Sequence, residues 1–396
     1  MSRKVSLALV VAIVMIALTV VPAFAQDEFV FGVVLVGPEN DRGWSQAHFE
    51  AAQYIEQNMP GARMVFFPSL NTADNPETTL MDVAQNMVDE GAKVIFTTSD
   101  AFEEDTDSVA EAFPEVVFIN VSGDNVLTEA PANVGNLMGQ MEWGKLIAGC
   151  AAGLTTETGK IGYLGPLING ETRRFAASAY LGARYCYGLK GGNPDDLQFT
   201  VTWIGFWFNI PGVTLDPTEE VNTFYDTGVD VVLSGIDTAQ AIEIAGQRSA
   251  NGEHVWAIPY DYVASCDIAP DACLGVPFFH WGPSYLALAQ AVQDGSWTPS
   301  WDWVAPDWAD INSEQSIVGF LQGAGLSDEN KAALDAVIAD MAGYATNPFV
   351  PDSFALWAGP LNLQDGTELA ANGQLVDPLD VWYLPQLLQG MVGASG

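Results

Sequence analysis

The sequence predicts an α/β protein built from two doubly wound parallel-sheet lobes, and three observations carry that prediction. Short Val/Ile/Phe-rich runs recur along the chain, segments of helical apolar spacing separate most of them, and the rhythm runs once, restarts and runs again. Parallel neighbours need a crossover connection, so alternating strands and helices imply βαβ units. The strand runs are apolar throughout instead of at every second residue, which is the pattern of strands covered on both faces.

The first strand is expected at 29–36, followed by a helix whose apolar face is Trp44, Ala47, Ala51, Ile55 and Met59. Strands at 63–67, 93–98 and 116–121 follow. Leu80, Val83 and Met87, then Val109, Ala112 and Phe113, mark the helices between them. A helix carrying Trp143, Ile147, Cys150 and Leu154 leads into the second half. It restarts at Gly159-Lys-Ile-Gly-Tyr-Leu-Gly, with strands at 160–164, 199–204, 229–233, 255–258 and 274–279. From about 296 the chain becomes rich in Trp, Pro and Asp (Trp297, Trp301, Trp303, Trp308), with one helix-like stretch near 328–343. This tail is read as an ordered C-terminal wrap over the lobes.

Arg3 and Lys4, the apolar run from Val5 to Val21 and the small-x-small site Ala23-Phe-Ala25 have the layout of a secretory leader, so residues 1–25 are expected to be removed. No cysteine stands near that site, so no lipid anchor is expected there. No later run reaches the roughly 18 apolar residues that a membrane helix needs, and a soluble periplasmic or extracellular protein is expected. The formal charge of −37 becomes −39 without Arg3 and Lys4. Such a field repels nucleic acid and anionic lipid, so neither is expected as a partner. Cys266 and Cys273 bracket a short turn-rich loop and are expected to pair; Cys150 and Cys186 are either a second bridge or two buried thiols.

Enzymatic signatures are missing: there is no Gly-x-Gly-x-x-Gly after a strand, no Walker loop, no Gly-x-Ser-x-Gly and no His-Glu-x-x-His. His48, His254 and His280 are far apart and lack partners at metal spacing, so no metal or cofactor is expected. What remains is the ligand crevice beyond the strands' carboxyl ends, where Asn40, Asp41, Trp44 and Ser45 follow the first strand. Asp41 is equally suited to capping the Trp44 helix, and Trp44 to packing at its start.

Eight segments in order resemble the basic membrane protein family of ABC-transporter solute-binding proteins, whose best-understood members are purine-nucleoside receptors. They are Val36-Gly-Pro-Glu-Asn-Asp-Arg-Gly-Trp-Ser with Ala47-His48; Ile95-Phe-Thr-Thr-Ser; Phe113-Pro-Glu-Val-Val-Phe; and Asn133-Val-Gly through Gly149 to Thr158-Gly-Lys-Ile-Gly-Tyr. Gly228-Val-Asp-Val-Val, Tyr260-Asp261, Trp281-Gly-Pro-Ser-Tyr and Asp294-Gly-Ser-Trp297 complete the set. The resemblance implies a type I periplasmic-binding-protein fold, a hinge of several crossing strands, and a monomer that delivers its ligand to an ABC permease. Lobe one would comprise 27–138 and about 280–345, lobe two 139–279 and about 346–396.

The resemblance also implies a base stacked between two aromatic rings, Trp44 from lobe one and Trp207 from lobe two, with Phe206 next in line if the register shifts. Asp237 and Asp261, each ending a lobe-two strand, would accept hydrogen bonds from ribose hydroxyls or base N–H groups, or else cap helices. Ser99 and Asp100 with Asn40 and Asp41 would complete the lobe-one rim, and Trp281 would close the floor or brace the hinge. Residues 209–217 look like an insertion, and the loop from Cys266 to Cys273 replaces an acidic-Met motif. Another heteroaromatic such as a flavin, or a sugar, is therefore a second ligand reading, and an exported nucleoside hydrolase is the rival from another class.

Overall fold

The computed structural model describes residues 28–347 and 354–396; the expected leader and its cleavage point lie outside the described residues. In chain order the first half contains β1 (Phe29–Val34), α1 (Trp44–Asn58), β2 (Ala62–Phe67), α2 (Leu80–Asp89), β3 (Val94–Thr97), α3 (Glu103–Ala112), β4 (Val117–Val121) and β5 (Val134–Gly139). The second contains α4 (Met141–Thr155), β6 (Lys160–Gly165), α5 (Gly170–Leu189), β7 (Gln198–Trp203), α6 (Pro217–Asp226), β8 (Val231–Ser234), α7 (Gln240–Ala250) and β9 (Trp256–Ile258). Then follow β10 (Gly275–Phe279), α8 (Gly282–Gln293), β11 (Trp301–Val304), β12 (Val318–Gln322), α9 (Asp328–Ala345), β13 (Leu361–Asn362), β14 (Glu368–Ala370), α10 (Pro378–Trp382) and β15 (Met391–Val392).

Two parallel sheets result, flanked by helices. The first has the order β11-β5-β4-β3-β1-β2 and the second β15-β7-β6-β8-β9, with every pair parallel. The expected α/β class and its strands are therefore present. β1, β3 and β8 are buried at every residue, as their unbroken apolarity requires, whereas the edge strand β2 is half-buried. Helix starts follow local chemistry: Thr79 with Asp82, and Asn169 with Thr172, form reciprocal capping boxes at α2 and α5.

The tail is distributed between the sheets. β11 completes the first sheet beside β5, and β15 closes the second sheet beside β7. The stretch expected as a helix near 328–343 is α9. It lies on α4 and gives Leu334, Val337 and Met341 to the second core, although the sequence division assigns it to lobe one. The antiparallel ribbon β10–β12 sits between the cores, with Phe279 and Val318 in the first and Phe320 in the second. The chain passes between the sheets at 139–141, 279–282 and 304–318.

α4 and α5 touch backbone to backbone. A Cβ at Gly182 would lie 1.9 Å from the Leu146 carbonyl oxygen, and one at Gly149 would lie 1.9 Å from that of Ala179. Such an approach is open only to glycine. Cys150 and Cys186 join the same two helices in a disulfide, and Cys266–Cys273 forms the expected second one. Gly182→Ala should overpack this contact and cost about 1–3 kcal/mol of unfolding free energy in a denaturant titration. Gly343→Ala, on the exposed face of α9 with no atom within 4 Å of the new methyl, should be neutral or stabilise by up to about 1 kcal/mol.

Candidate functional site

The carboxyl ends of the two sheets face one another across a narrow, nearly closed cleft. Val36, Trp44, Ser99, Asp100 and Ser122 line it from the first sheet, and Glu171, Trp207, Asp237 and Tyr260 from the second. Each stands in a loop or helix start just beyond a strand, where parallel α/β sheets place ligands. The facing loops touch directly. Asn169 Nδ2 donates to Asp100 Oδ2 at 2.8 Å, the Ser122 hydroxyl donates to the Glu171 carboxylate, and Ser265 Oγ donates to the Arg42 carbonyl at 3.1 Å. Gly43 lies so close to the Asp237 carbonyl that a Cβ there would be 1.9 Å from the oxygen. The two halves thus stand in a closed arrangement.

Trp44 is the first residue of α1 and is fixed in two ways. Its Nε1 donates to the Thr98 carbonyl at 2.7 Å, and its ring meets His48, Phe279 and Trp281 edge-on at 4.5, 5.5 and 5.5 Å. Behind it Trp281 stacks between Phe279 at 4.4 Å and His48 at 4.7 Å, fully buried. Edge-to-face and offset contacts of this kind suit the aromatic quadrupole and leave a rigid indole wall. Trp207 is held by its backbone, its carbonyl accepting the Asp237 N–H at 3.0 Å, while Phe206 and Phe208 pair edge-to-face beside it at 4.9 Å.

The acidic residues divide by role. Asp41 is taken up by the start of α1, its carboxylate accepting the amides of Gly43, Ser45 and Gln46 at 2.8, 3.0 and 3.0 Å. Ser45 Oγ accepts the Gly37 amide at 2.9 Å, and Asn40 is exposed. Asp237 is buried at the cavity wall, and its carboxyl titrates well above the usual range, through burial first and then the negative neighbours Asp261, Asp41, Glu171 and Asp100. Burial likewise raises Asp100 and Asp261, and pushes Glu171 up to about 7. Asp261 adopts a left-handed conformation (φ 69°), and neither of its carboxylate oxygens has a hydrogen-bond partner of ordinary geometry among the described residues.

Two buried cations balance this cluster. Lys145 donates to the Ser234 carbonyl at 2.8 Å and sits 3.2 Å from the Tyr260 ring centroid; burial pushes its ammonium down to about 7, against the opposing pull of Asp261 and Glu171. Arg174 pairs with Glu142 at 2.5 Å and approaches Glu171 at 3.6 Å. Its guanidinium carbon sits 4.0 Å from the Trp382 ring centroid, and it donates to that residue's carbonyl at 3.2 Å. The Trp382 indole N–H reaches across to Asp124 at 2.9 Å.

Of the residues singled out in the sequence, Trp44, Ser99, Asp100, Trp207 and Asp237 line the cavity, whereas Asn40, Asp41, Ser45, Phe206, Asp261 and Trp281 do not. Sequence reading missed Val36, Ser122, Glu171 and Tyr260. Glu171 had a readable signal, since Asn169 and Thr172 mark a helix start directly after a strand, and Tyr260 adjoins Asp261. Among the described residues no group of three or more His, Cys, Asp or Glu side chains is arranged to hold a metal ion. The cavity thus presents two indoles from opposite sheets and a set of carboxyl groups whose pKa values burial raises.

The family profile of PnrA-like ABC transporter substrate-binding proteins, Bmp, matches residues 29–276. A purine-binding protein of Brucella abortus is 26% identical over 356 residues, covering 90% of each chain. A putative ABC transporter glucose-binding protein of Haloferax volcanii is also 26% identical, over 326 residues that span 82% of this chain and 73% of that one. The solved ABC-transporter solute-binding protein of Aeropyrum pernix superposes with a TM-score of 0.61 at 16% identity, over 82% of this chain and 83% of its own. With its two parallel sheets and the cavity between them, the chain belongs to the Bmp family of PnrA-like ABC transporter substrate-binding proteins.

Proposed function

We propose that this protein is a non-catalytic, extracytoplasmic receptor, exported by its leader as an unlipidated monomer. It captures a nucleoside or nucleobase, of purine type by preference, and delivers it to an ABC permease. The division into two lobes that close about the crossings at 139–141, 279–282 and 304–318 belongs to this reading. The observation that carries it is the placement of Trp44 and Trp207, from opposite sheets, on one cavity rimmed by Asp237 and Asp100. Two indole faces supply stacking that any flat heterocycle accepts, and the carboxylates accept its N–H and O–H groups. The purine-binding relative in Brucella supports the same ligand class.

A sugar is the second reading, favoured by the Haloferax relative named for glucose and by the carboxylates' capacity to accept vicinal hydroxyl pairs. Calorimetric titration of the ligand-stripped protein with purine nucleosides, nucleobases, flavins and hexoses separates the two, and recovery of the bound nucleoside intact by chromatography sets aside a nucleoside hydrolase. Response to hexoses alone would overturn the purine assignment.

Three outcomes are expected. Trp44→Ala and Trp207→Ala should each weaken purine-nucleoside binding by roughly 1–3 kcal/mol, about 5- to 150-fold in Kd by calorimetry. Gly43→Ala, whose methyl would meet the Asp237 carbonyl, should hold the halves apart. Affinity should then fall at least about tenfold, the equivalent of 1.4 kcal/mol, while the ligand-free unfolding midpoint stays in place. The third outcome concerns pH. Glu171 keeps its proton up to about 7 in the folded protein but loses it near 4.5 in the unfolded chain. Between those values the folded state binds more protons, so ligand-free stability should decline as pH rises through that window. Glu171→Gln should flatten that decline in urea titrations.

A further inference from the structure

Helix α4 is buried from Met141 to Leu154, and only two of its residues are charged, Glu142 and Lys145. Glu142 has Arg174 as its partner. Lys145 is as deeply buried, yet among the described residues no carboxylate comes within ion-pair distance of its Nζ. An ammonium withdrawn from water without an adjacent counter-ion is costly, and an apolar side chain would fill the same space in this helix without that cost. A charge kept against such a penalty points to a role in the neighbouring site.

What the ammonium touches is the rim of the second sheet. Its Nζ donates to the carbonyl of Ser234, the last residue of β8, at 2.8 Å, and sits 3.2 Å from the ring centroid of Tyr260, just beyond β9. One ion therefore ties together the carboxyl ends of two paired strands. Both ends carry cleft residues: Tyr260 lines the cleft itself, and the turn that begins at Ser234 delivers Asp237 to it. Nothing else holds the Tyr260 ring as closely, for its aromatic neighbours Phe175 and Phe279 stand off at 6.2 and 6.3 Å.

We propose that Lys145 is a positioning residue for the cleft: it clamps the Tyr260 ring by cation–π attraction, and its hydrogen bond to Ser234 keeps the Asp237 turn in step with that ring. Away from water such an attraction is among the stronger aromatic contacts, so a ligand meets Tyr260 and Asp237 already set instead of ordering them on arrival. The proposal refines the receptor reading above and rests on it.

The test is calorimetric titration of the mature protein with adenosine, guanosine, riboflavin and glucose as probes, beside the ligand-free unfolding midpoint of each variant. Lys145→Met keeps the bulk of the side chain and removes its charge. It should weaken binding of the probe that the wild type takes by at least about tenfold, while the midpoint stays in place or rises because a buried charge is gone. Lys145→Gln is measured alongside, so the comparison does not hang on one variant's folding. Tyr260→Phe keeps the ring, and in that background the loss caused by Lys145→Met should be as large as in the wild type. Tyr260→Leu removes the ring, and there the loss should shrink to about threefold or less. Equal losses in the two backgrounds overturn the proposal, since the lysine would then not act through the ring. So does unchanged affinity in both Lys145 variants, which would leave the receptor reading standing. A wild type that binds none of the four probes overturns that reading and this refinement together.

Discussion

The buried guanidinium of Arg174 is the constraint on which the site depends. A charge held away from water must be met by partners, and removing one partner of such a pair is far more costly than the pair is stabilising. Arg174 is met on three sides, by Glu142 from α4, by Glu171 one helical turn before it on α5, and by the face and carbonyl of Trp382 from α10. Three segments far apart in sequence are therefore fixed around one ion. Glu171 reaches the cavity wall, where it accepts from Ser122 of the opposite half, and Trp382 reaches Asp124 there. The ion that ties α4, α5 and α10 together thus also sets where the two halves meet.

The cavity itself is over-supplied with carboxyl groups. Asp237, Glu171 and Asp100 at its wall and Asp261 behind it lie within mutual influence, and among the described residues Lys145 and Arg174 oppose them. Crowding of this kind raises the pKa of each acid and disfavours a ligand that brings further negative charge. A phosphorylated ligand would add its own anion to that field. The proposed ligand, a flat and uncharged nucleoside or nucleobase, is compatible with both this field and the aromatic walls.

Most of the fold was legible because it is written locally. Strands buried on both faces need continuous apolarity, so β1, β3, β6 and β8 announce themselves in single short runs, and the spacing of Trp44, Ala47, Ala51 and Ile55 does the same for α1. The site was legible where a strand end and an aromatic or acidic residue coincide, as at Trp44, Trp207 and Asp237. It was less legible where one residue type serves two purposes. Asp41 reads equally as ligand contact and as cap, and only its three amide partners show which way its carboxylate is spent. Trp281 and Trp44 look alike in sequence, yet one forms the wall and the other braces it from behind. The contacts of Arg174 and the partner of Cys150 depend on pairings between distant segments, which no local pattern specifies.

The pairing of β15 with β7 sets an order on how the molecule is made. Met391 lies beside Phe199, roughly 190 positions apart, and Arg173 and Trp203 reach the carbonyls of Ser395 and Ala394. The first sheet meets a similar condition at its own edge, where β11 arrives only after β6, β7, β8 and β9 of the second sheet have been made. Each half therefore exposes an open strand edge, a known template for unwanted pairing, until late residues arrive to cover it. Sequence order therefore dictates that both sheets are finished last at one edge, so neither half is complete until the C-terminal third of the chain has been made.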